Sequence, residues 1–561
     1  MYIIGISGDC EHNSSVCLIV DGKLIYAESE ERITKIKNDG SFPLKGVQYA
    51  LGKIPFRQQS HIAAVGNVYL SNKSDSFENL KTKSLQLRKK CWFDLNLYSC
   101  SFFRDIDIER FDHHLCHARA AAVFSPITDG IIFVSDGQGD GVSMSAWYYK
   151  NGNLSCVWKN ALSKGSMGFF YAAITEILGF KRLRDEGKVT ALAASGSVND
   201  QVLRFFHSIV KIKKGAEGND YISISEGYLN IYDSLKPLFS EKLKKGLKGL
   251  PNKDVAATLQ FFIENMICTL VEDLMFKYQS KKLLLAGGLF SNVSLNHKIA
   301  ISKSVEEIYI CPPMGDEGTS VGAAAELYHK MTKQEIKQTH VYLGYDANQD
   351  DIMHIVNKFP AYSYIPMKKS ETLNFCKDYL IKGYPVCFCI GKGEFGPRAL
   401  GNRSILLRPD DKSAKVWLNK CLGRDSVMPF APCIRDCNLQ YMVQLVDSIS
   451  STNQFMTIRY NVTKKFWEKC PGVVHIDGTA RFQVVTEESN PFLWELLKLF
   501  EKETTLPALL NTSLNRHGFP IARDLNDSLE YAASSNFPLM VVNRGIIINA
   551  TEIYRGMVST G

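Results

Sequence analysis

The chain is short of several features, and each absence removes a class of protein. It has no low-complexity tract and no run approaching 18 uncharged apolar residues, so nothing in it reads as a membrane-spanning helix. Its start, Met1-Tyr2-Ile3-Ile4, runs straight into Gly5-Ile6-Ser7-Gly8 without the basic, apolar design of a secretory leader. The 15 cysteines are scattered, and the pairs Cys387-x-Cys389 and Cys433-x3-Cys437 lack the second pair that a zinc site needs. Reduced thiols, mostly in the core of a cytoplasmic protein, are therefore expected. A net charge of +8 over 561 residues is too small for a nucleic-acid footprint. The densest basic stretch, Lys81 to Lys90, reads as a solvated helix face. Neither nucleic acid nor membrane is expected as a partner. With 45% hydrophobic and 22% charged residues the chain is globular, and it is too long for one core.

Two stretches share a plan. A strand from Tyr2 to Ile6, a polar turn from Ser7 to Asn13 and a strand from Ser15 to Val20 lead to Asp21-Gly22 and a third strand. Gly130 to Val134, a turn from Asp136 to Gly141 and Val142 to Tyr149 lead in the same way to Asn151-Gly152. Asp-Gly and Asn-Gly between apolar runs are strong hairpin signals. The repetition predicts two related subdomains clasping a ligand, with backbone N–H groups turned toward phosphates. An amphipathic helix is expected from Lys253 to Tyr278, then strands at Lys282–Ala286 and Glu307–Cys311 that end in Gly287-Gly288-Leu-Phe-Ser-Asn292 and Pro-Pro-Met-Gly315-Asp316. Strand ends of that kind bind ligands in open α/β sheets. The segment from Tyr342 to Asp350 reads as a boundary, giving domains 1–345 and 346–561.

The chemistry begins at His113 and His117. Four residues apart on a helix, their imidazoles project from one face and can share a metal ion. Asp136, at the mouth of a Gly/Asp turn, and Asp316 complete a His2Asp2 set suited to iron, zinc or manganese, with Asp140 and His114 as substitutes. The second domain carries Gly391-Lys-Gly-Glu394-Phe-Gly-Pro-Arg398-Ala-Leu-Gly-Asn402-Arg403-Ser404, then Arg424, Arg435, Asp477-Gly-Thr-Ala-Arg481 and Asn511-Thr-Ser-Leu-Asn515. Guanidinium forks grip phosphate or carboxylate, and glycines let the backbone approach. Any one of these arginines could instead pair with a local carboxylate.

These motifs, together with Gly5 to Gly22, Gly179-Phe180 and Asp185-Glu-Gly-Lys188, run in order over nearly the whole chain. On them the chain resembles the O-carbamoyltransferases of the NodU/CmcH type. The resemblance implies an α/β protein. Its N-terminal part would be a Kae1-like domain of the actin/sugar-kinase ATPase superfold with duplicated RNase H-like subdomains, and its C-terminal part a YrdC-like domain. It implies that the second domain turns carbamoyl phosphate and ATP into carbamoyl-adenylate, and that the first, holding Fe(II), passes the carbamoyl group to a hydroxyl of a small polar metabolite, sugar or natural product. Carried over by motif, His113, His117, Asp136 and Asp316 are the metal ligands, and Arg398, Arg424, Arg481 and Asn511 hold the donor, with Arg403 beside them. Gly137, Gly139, Lys188, Gly287, Gly288 and Asn292 are the expected nucleotide-binding residues, with Mg2+ accompanying ATP. Arg398 and Arg424 are expected to be catalytic, with His12 as general base on the acceptor. A homodimer is the default assembly.

The chain departs from the family at two places. A Lys-Gly-Arg-Glu-x2-Arg-Pro segment is usual, but here it reads Leu422-Gly-Arg424-Asp-Ser-Val-Met428-Pro429, and Phe519 stands where glutamate is usual. The donor step could then be weakened, compensated by Lys392, Lys420 or Arg435, or lost. Two alternatives follow: a nucleotide- and metal-binding regulatory protein, or a related carbamoylation of a protein thiol or tRNA. The modest charge speaks against tRNA.

Overall fold

The computed structural model describes residues 1–8, 13–55, 60–65, 108–215, 220–231, 236–423, 430–449 and 452–549. His12, Arg424, Met428 and the Lys81–Lys90 patch lie outside the described residues. The chain divides into two compact units, Met1–Thr34 with Asn38–Thr339 and Val446–Thr452, and Lys35–Lys37 with His340–Leu445 and Asn453–Gly561. Both mix α and β structure.

The first unit contains the same sheet twice. Strands β1 (Tyr2–Ser7), β2 (Ser15–Val20), β3 (Lys23–Ser29), β4 (Ser60–Val65) and β5 (Ile108–Phe111) lie in the order β3-β2-β1-β4-β5. The second sheet has β6 (Asp129–Gly139), β7 (Val142–Lys150) and β8 (Asn153–Ala161), then, beyond a small hairpin of β9 (Val210–Lys214) and β10 (Asp220–Ile224), β11 (Lys282–Ala286) and β12 (Glu307–Ile310), in the order β12-β11-β6-β7-β8. In each sheet three antiparallel strands are followed by two parallel ones. The hairpins turn on Asp21-Gly22, Asp140-Gly141 and Asn151-Gly152, every one of these residues having positive φ, as a two-residue turn matched to strand twist requires. The polar turn expected from Asp136 to Gly141 is thus shorter than the sequence suggests. Strand β6 runs on through Asp136 to Gly139, with a register shift after Ser135, and only Asp140-Gly141 turns.

The helices cross over. His113–Phe124 follows β5 but packs on β6, β7 and β11, whereas Thr319–Thr332 follows β12 but packs on β1, β2 and β4. The two helices also pack on each other, and small residues allow it: a Cβ on Gly322 would overlap the Cys116 carbonyl. The start of one helix thereby meets the end of β6 and the turn at Asp316. The 26-residue helix Asn252–Lys277 is long and apolar enough to cross a membrane, but most of its apolar surface is buried inside the protein. It is a core helix.

In the second unit β13 (Tyr342–Asp346) pairs with β16 (Lys392–Glu394). The main sheet is built from β14 (Tyr362–Pro366), β15 (Val386–Cys389), β17 (Ser404–Leu407), β18 (Ala431–Arg435), β21 (Gln483–Val485), β22 (Ala508–Ser513), β23 (Leu539–Val542) and β24 (Gly545–Asn549). Its order is β14-β24-β23-β15-β17-β22-β18-β21, and a short ladder joins β19 (Tyr460–Asn461) to β20 (Thr479–Ala480). Leu373, Cys376 and Leu380 of one helix and Leu493, Leu496 and Phe500 of another form its core against Val386, Phe388 and Leu406. Cys387 and Cys389 are buried thiols of β15, and burial pushes both upward from the ordinary thiol range. They are packing residues.

Candidate metal centre and anion cradle

Asp112 caps the helix that begins at His113, accepting from the Leu115 N–H at 2.9 Å, and Asp140 accepts from the His113 N–H at 2.9 Å. The first turn, which carries His113, is thereby held in place, and His117 follows one turn on. The His113 and His117 Nε2 atoms stand 3.1 Å apart. His113 Nε2 lies 3.3 Å from Asp136 Oδ2 and 3.3 Å from Asp316 Oδ1, and His117 Nε2 lies 3.9 and 3.3 Å from the same two atoms. All four side chains are buried. Metal–ligand bonds of about 2.1 Å set neighbouring ligand atoms about 3.0–3.4 Å apart in octahedral or tetrahedral geometry, and these spacings come close to that. Two carboxylates with two neutral imidazoles carry the charge that balances a dication. The residues fit a divalent ion.

His114 and Asp140, the substitutes, are occupied elsewhere. His114 bonds to Ser145 Oγ at 2.9 Å and to the Val142 carbonyl at 3.2 Å. Burial, and then the neighbouring His113 and His117, lower it to about 3, so it is a neutral structural histidine. For His113 burial opposes the proton, but Asp316 and Asp136 overcome it and raise the pKa well above the usual range; His117 is raised in the same way. Metal binding must therefore displace protons, and affinity falls as pH falls. Below both raised values up to two protons leave per ion, so the dissociation constant should change by up to about 100-fold per pH unit. Competition with a chromophoric chelator between pH 6 and 8 measures that slope.

The glycines expected to bind nucleotide gather around this cluster. A Cβ on Gly139 would overlap the His113 ring, and one on Gly137 would press on the Phe169 ring. Gly288 donates its N–H to Asp136 Oδ1 at 3.3 Å, which turns Oδ2 toward the histidines. Gly287, at φ 98°, fits where a Cβ would strike the Ser135 carbonyl. Asn292 caps the helix Val293–Ala300 and exchanges amide bonds with Gln260 at 2.9 and 3.1 Å. Lys188 lies 3.5 Å from Asp185 Oδ1 on a short helix. Gly139→Ala should displace the His113 ring without straining the backbone. We expect a 10–100-fold loss of metal affinity, read as bound metal after dialysis against a fixed free concentration.

In the second unit two charged residues hold the 391–404 loop from opposite sides. Glu394 Oε1 accepts the N–H groups of Leu400, Asn402 and Arg403 at 2.7, 2.8 and 3.3 Å. Arg403, fully buried, makes five bonds to the carbonyls of Arg523, Ile390, Asn402, Tyr345 and Gly391. Its donors are used up, so the expectation that Arg403 grips the donor is corrected: it is the brace of the loop. Arg398, half-buried on that loop, stands near Arg481. Burial, and then the like charge of Arg398, press the Arg481 guanidinium well below its usual range. Among the described residues no carboxylate pairs with Arg481. Asn511, on β22, lies alongside, donating to the Ala399 carbonyl at 3.3 Å. Two like charges set together in a buried polar niche are suited to an anion.

Residues 2–325 match the model of the carbamoyltransferase N-terminus, and residues 377–549 match that of its C-terminus. The chain belongs to the carbamoyltransferase family. The uncharacterized protein MJ1051 of Methanocaldococcus jannaschii is 30% identical over 97% of this carbamoyltransferase and 99% of itself. The nodulation protein NolNO of Sinorhizobium fredii is 27% identical over 96% of this chain and 79% of its own. The solved structure of full-length HypF in its phosphate- and nucleotide-bound form overlaps 60% of this chain and 56% of that one, at 15% identity and a TM-score of 0.36.

The departures in this carbamoyltransferase can now be placed. Leu422 is buried in the core, and Phe519 is exposed beside Tyr531. Arg435, one of the cations suggested as compensation, pairs with Glu501 at 2.7 Å and lies over the Trp494 ring. It is a local ion pair. The sequence reading missed Glu394 and Gln483 as site-forming residues. Gln483 opens β21 while Arg481 lies in the link after β20, so no strand period joins the two in the sequence.

Proposed function

We propose that this carbamoyltransferase is an O-carbamoyltransferase that uses ATP and carbamoyl phosphate and passes through carbamoyl-adenylate. Water cleaves carbamoyl phosphate to carbamate and phosphate. A carbamate oxygen then attacks the α-phosphorus of ATP, the bond to the β-phosphate oxygen breaks, and pyrophosphate leaves. An acceptor hydroxyl attacks the carbamoyl carbon, loses its proton to a base, and AMP departs. The observation that carries this reading is the contrast between two centres in one family member: a cradle of Arg398, Arg481 and Asn511 suited to anions, and a His2Asp2 cluster suited to a cation. We read the second unit as the YrdC-like adenylating domain and the first as the Kae1-like transfer domain, which its repeated sheet order supports.

In the transfer step a divalent ion, Fe(II) by resemblance, supplies charge that neutralises the departing phosphate when bound. His113, His117, Asp136 and Asp316 fix that charge in a buried place. The Gly287-Gly288 turn, Gly137 and Lys188 are proposed to lie against the nucleotide, with Asn292 holding the adjoining helix end and Mg2+ accompanying ATP. His12 is proposed as the acceptor's base. Its acceptor is proposed to be a small hydroxyl-bearing molecule. The test omits the acceptor: full-length protein, ATP and carbamoyl phosphate should release pyrophosphate and form carbamoyl-adenylate, detectable by mass spectrometry. The buried Leu422, in place of a cation, favours a second reading, a nucleotide- and metal-binding protein without turnover. Absence of pyrophosphate with metal retained would establish that instead.

A further inference from the structure

The cradle contains an acceptor whose orientation the backbone dictates. Gln483 Nε2 donates to the Leu400 carbonyl at 2.7 Å. A carbonyl can only accept, so the Gln483 amide cannot be reversed, and its Oε1 faces Asn511. Asn511 Nδ2 donates to that Oε1 at 2.7 Å and to the Ala399 carbonyl at 3.3 Å. Both its amide hydrogens are thus used, and its nitrogen is fixed by a second carbonyl. The remaining atom, Asn511 Oδ1, is buried and has no partner among the described residues, on a side chain 2% exposed. A buried carbonyl oxygen without a donor costs about 1–3 kcal/mol, so a ligand that brings an N–H gains by filling it.

We infer that Gln483 is a positioning residue, which locks the Asn511 amide so that the cradle selects a donor molecule bearing an N–H beside its anionic group. This rests on the donor reading above, in which Arg398 and Arg481 take the phosphate end. Carbamoyl phosphate has an NH2 where acetyl phosphate has a methyl of similar size. The locked Oδ1 bonds the first and is left unpaired by the second, whereas the two guanidinium groups treat them alike. Shape and charge alone would give little discrimination, since a methyl-sized difference in a pocket is weakly read. Without Gln483 only the longer 3.3 Å bond to the Ala399 carbonyl holds the Asn511 amide, so its NH2 turns inward more readily and the distinction weakens.

The experiment is calorimetric titration of the full chain with carbamoyl phosphate and with acetyl phosphate. Wild type should bind carbamoyl phosphate at least ~10-fold more tightly, in line with one hydrogen bond to a buried group. Gln483→Met should bring the two dissociation constants within about threefold of each other, because it removes both ends of the lock. Gln483→Glu, whose oxygens still accept from Asn511 Nδ2, should keep the preference for carbamoyl phosphate. A fold defect would lower the number of competent sites and leave the ratio of the two constants unchanged. A wild-type ratio near one, or a wild-type ratio that survives in Gln483→Met, overturns the inference. Failure of the function reading looks different: no pyrophosphate from ATP and carbamoyl phosphate, with the binding ratio intact.

Discussion

Arg398→Ala is expected to lower pyrophosphate release from ATP and carbamoyl phosphate by 10²–10³-fold, with the protein still folded. The size follows from removing one preorganised cationic donor from a site where charge is handled away from bulk water. The half-buried Arg398 can be truncated without opening a core cavity. Nor can its neighbours substitute. Arg403 has its five bonds committed to loop carbonyls, and Arg435 is paired with Glu501. Of the donor arginines among the described residues, Arg481 would be left to face the anion. Arg398→Lys should recover only part of the rate, since an ammonium restores the charge but not the bidentate fork. Stopped assays of pyrophosphate at saturating ATP decide it. A rate within a few-fold of wild type would place the donor elsewhere.

His117→Ala should do the reverse. Pyrophosphate release is expected within about twofold of wild type, while carbamoyl transfer to any hydroxyl compound that the wild type accepts falls by at least ~10²-fold. The imidazole is 3.3 Å from Asp316 and 3.9 Å from Asp136, so its loss removes one ligand and leaves His113 as the one imidazole of the set facing the two buried carboxylates. Bound metal should fall in parallel. Because an emptied ring site can destabilise the first unit, His117→Gln provides the control: it fills the volume and removes the aromatic nitrogen. Radiolabelled carbamoyl phosphate follows transfer, and pyrophosphate follows adenylation in the same tube. Equal loss of both steps in both variants would mean that the two centres do not divide the reaction.

The residues differ in how far each could be read in advance. Hairpin turns are local chemistry: Asp21-Gly22 and Asn151-Gly152 identify themselves because few dipeptides tolerate two positive φ angles. The His113/His117 pair is local too, since helical geometry alone puts two imidazoles on one face. So the repeated strand plan, the helix near Lys253 to Tyr278 and half of the metal cluster were legible.

Roles that depend on a distant partner were not. Arg398 and Arg403 sit five residues apart in one motif and are chemically alike. What separates them is that five carbonyls converge on Arg403, while Arg398 stands beside Arg481. Gly139 resembles a phosphate-loop glycine until the fold lays the His113 ring against it. Gln483 has no distinguishing neighbour in sequence, and gains a task only because Leu400 and Asn511 arrive on either side of it. The order of residues sets which groups are available and how neighbours along the chain are spaced. Which donors are already used, and which acceptor is left over, follows from the folded arrangement, because hydrogen-bond satisfaction is a property of the whole surrounding and not of a segment.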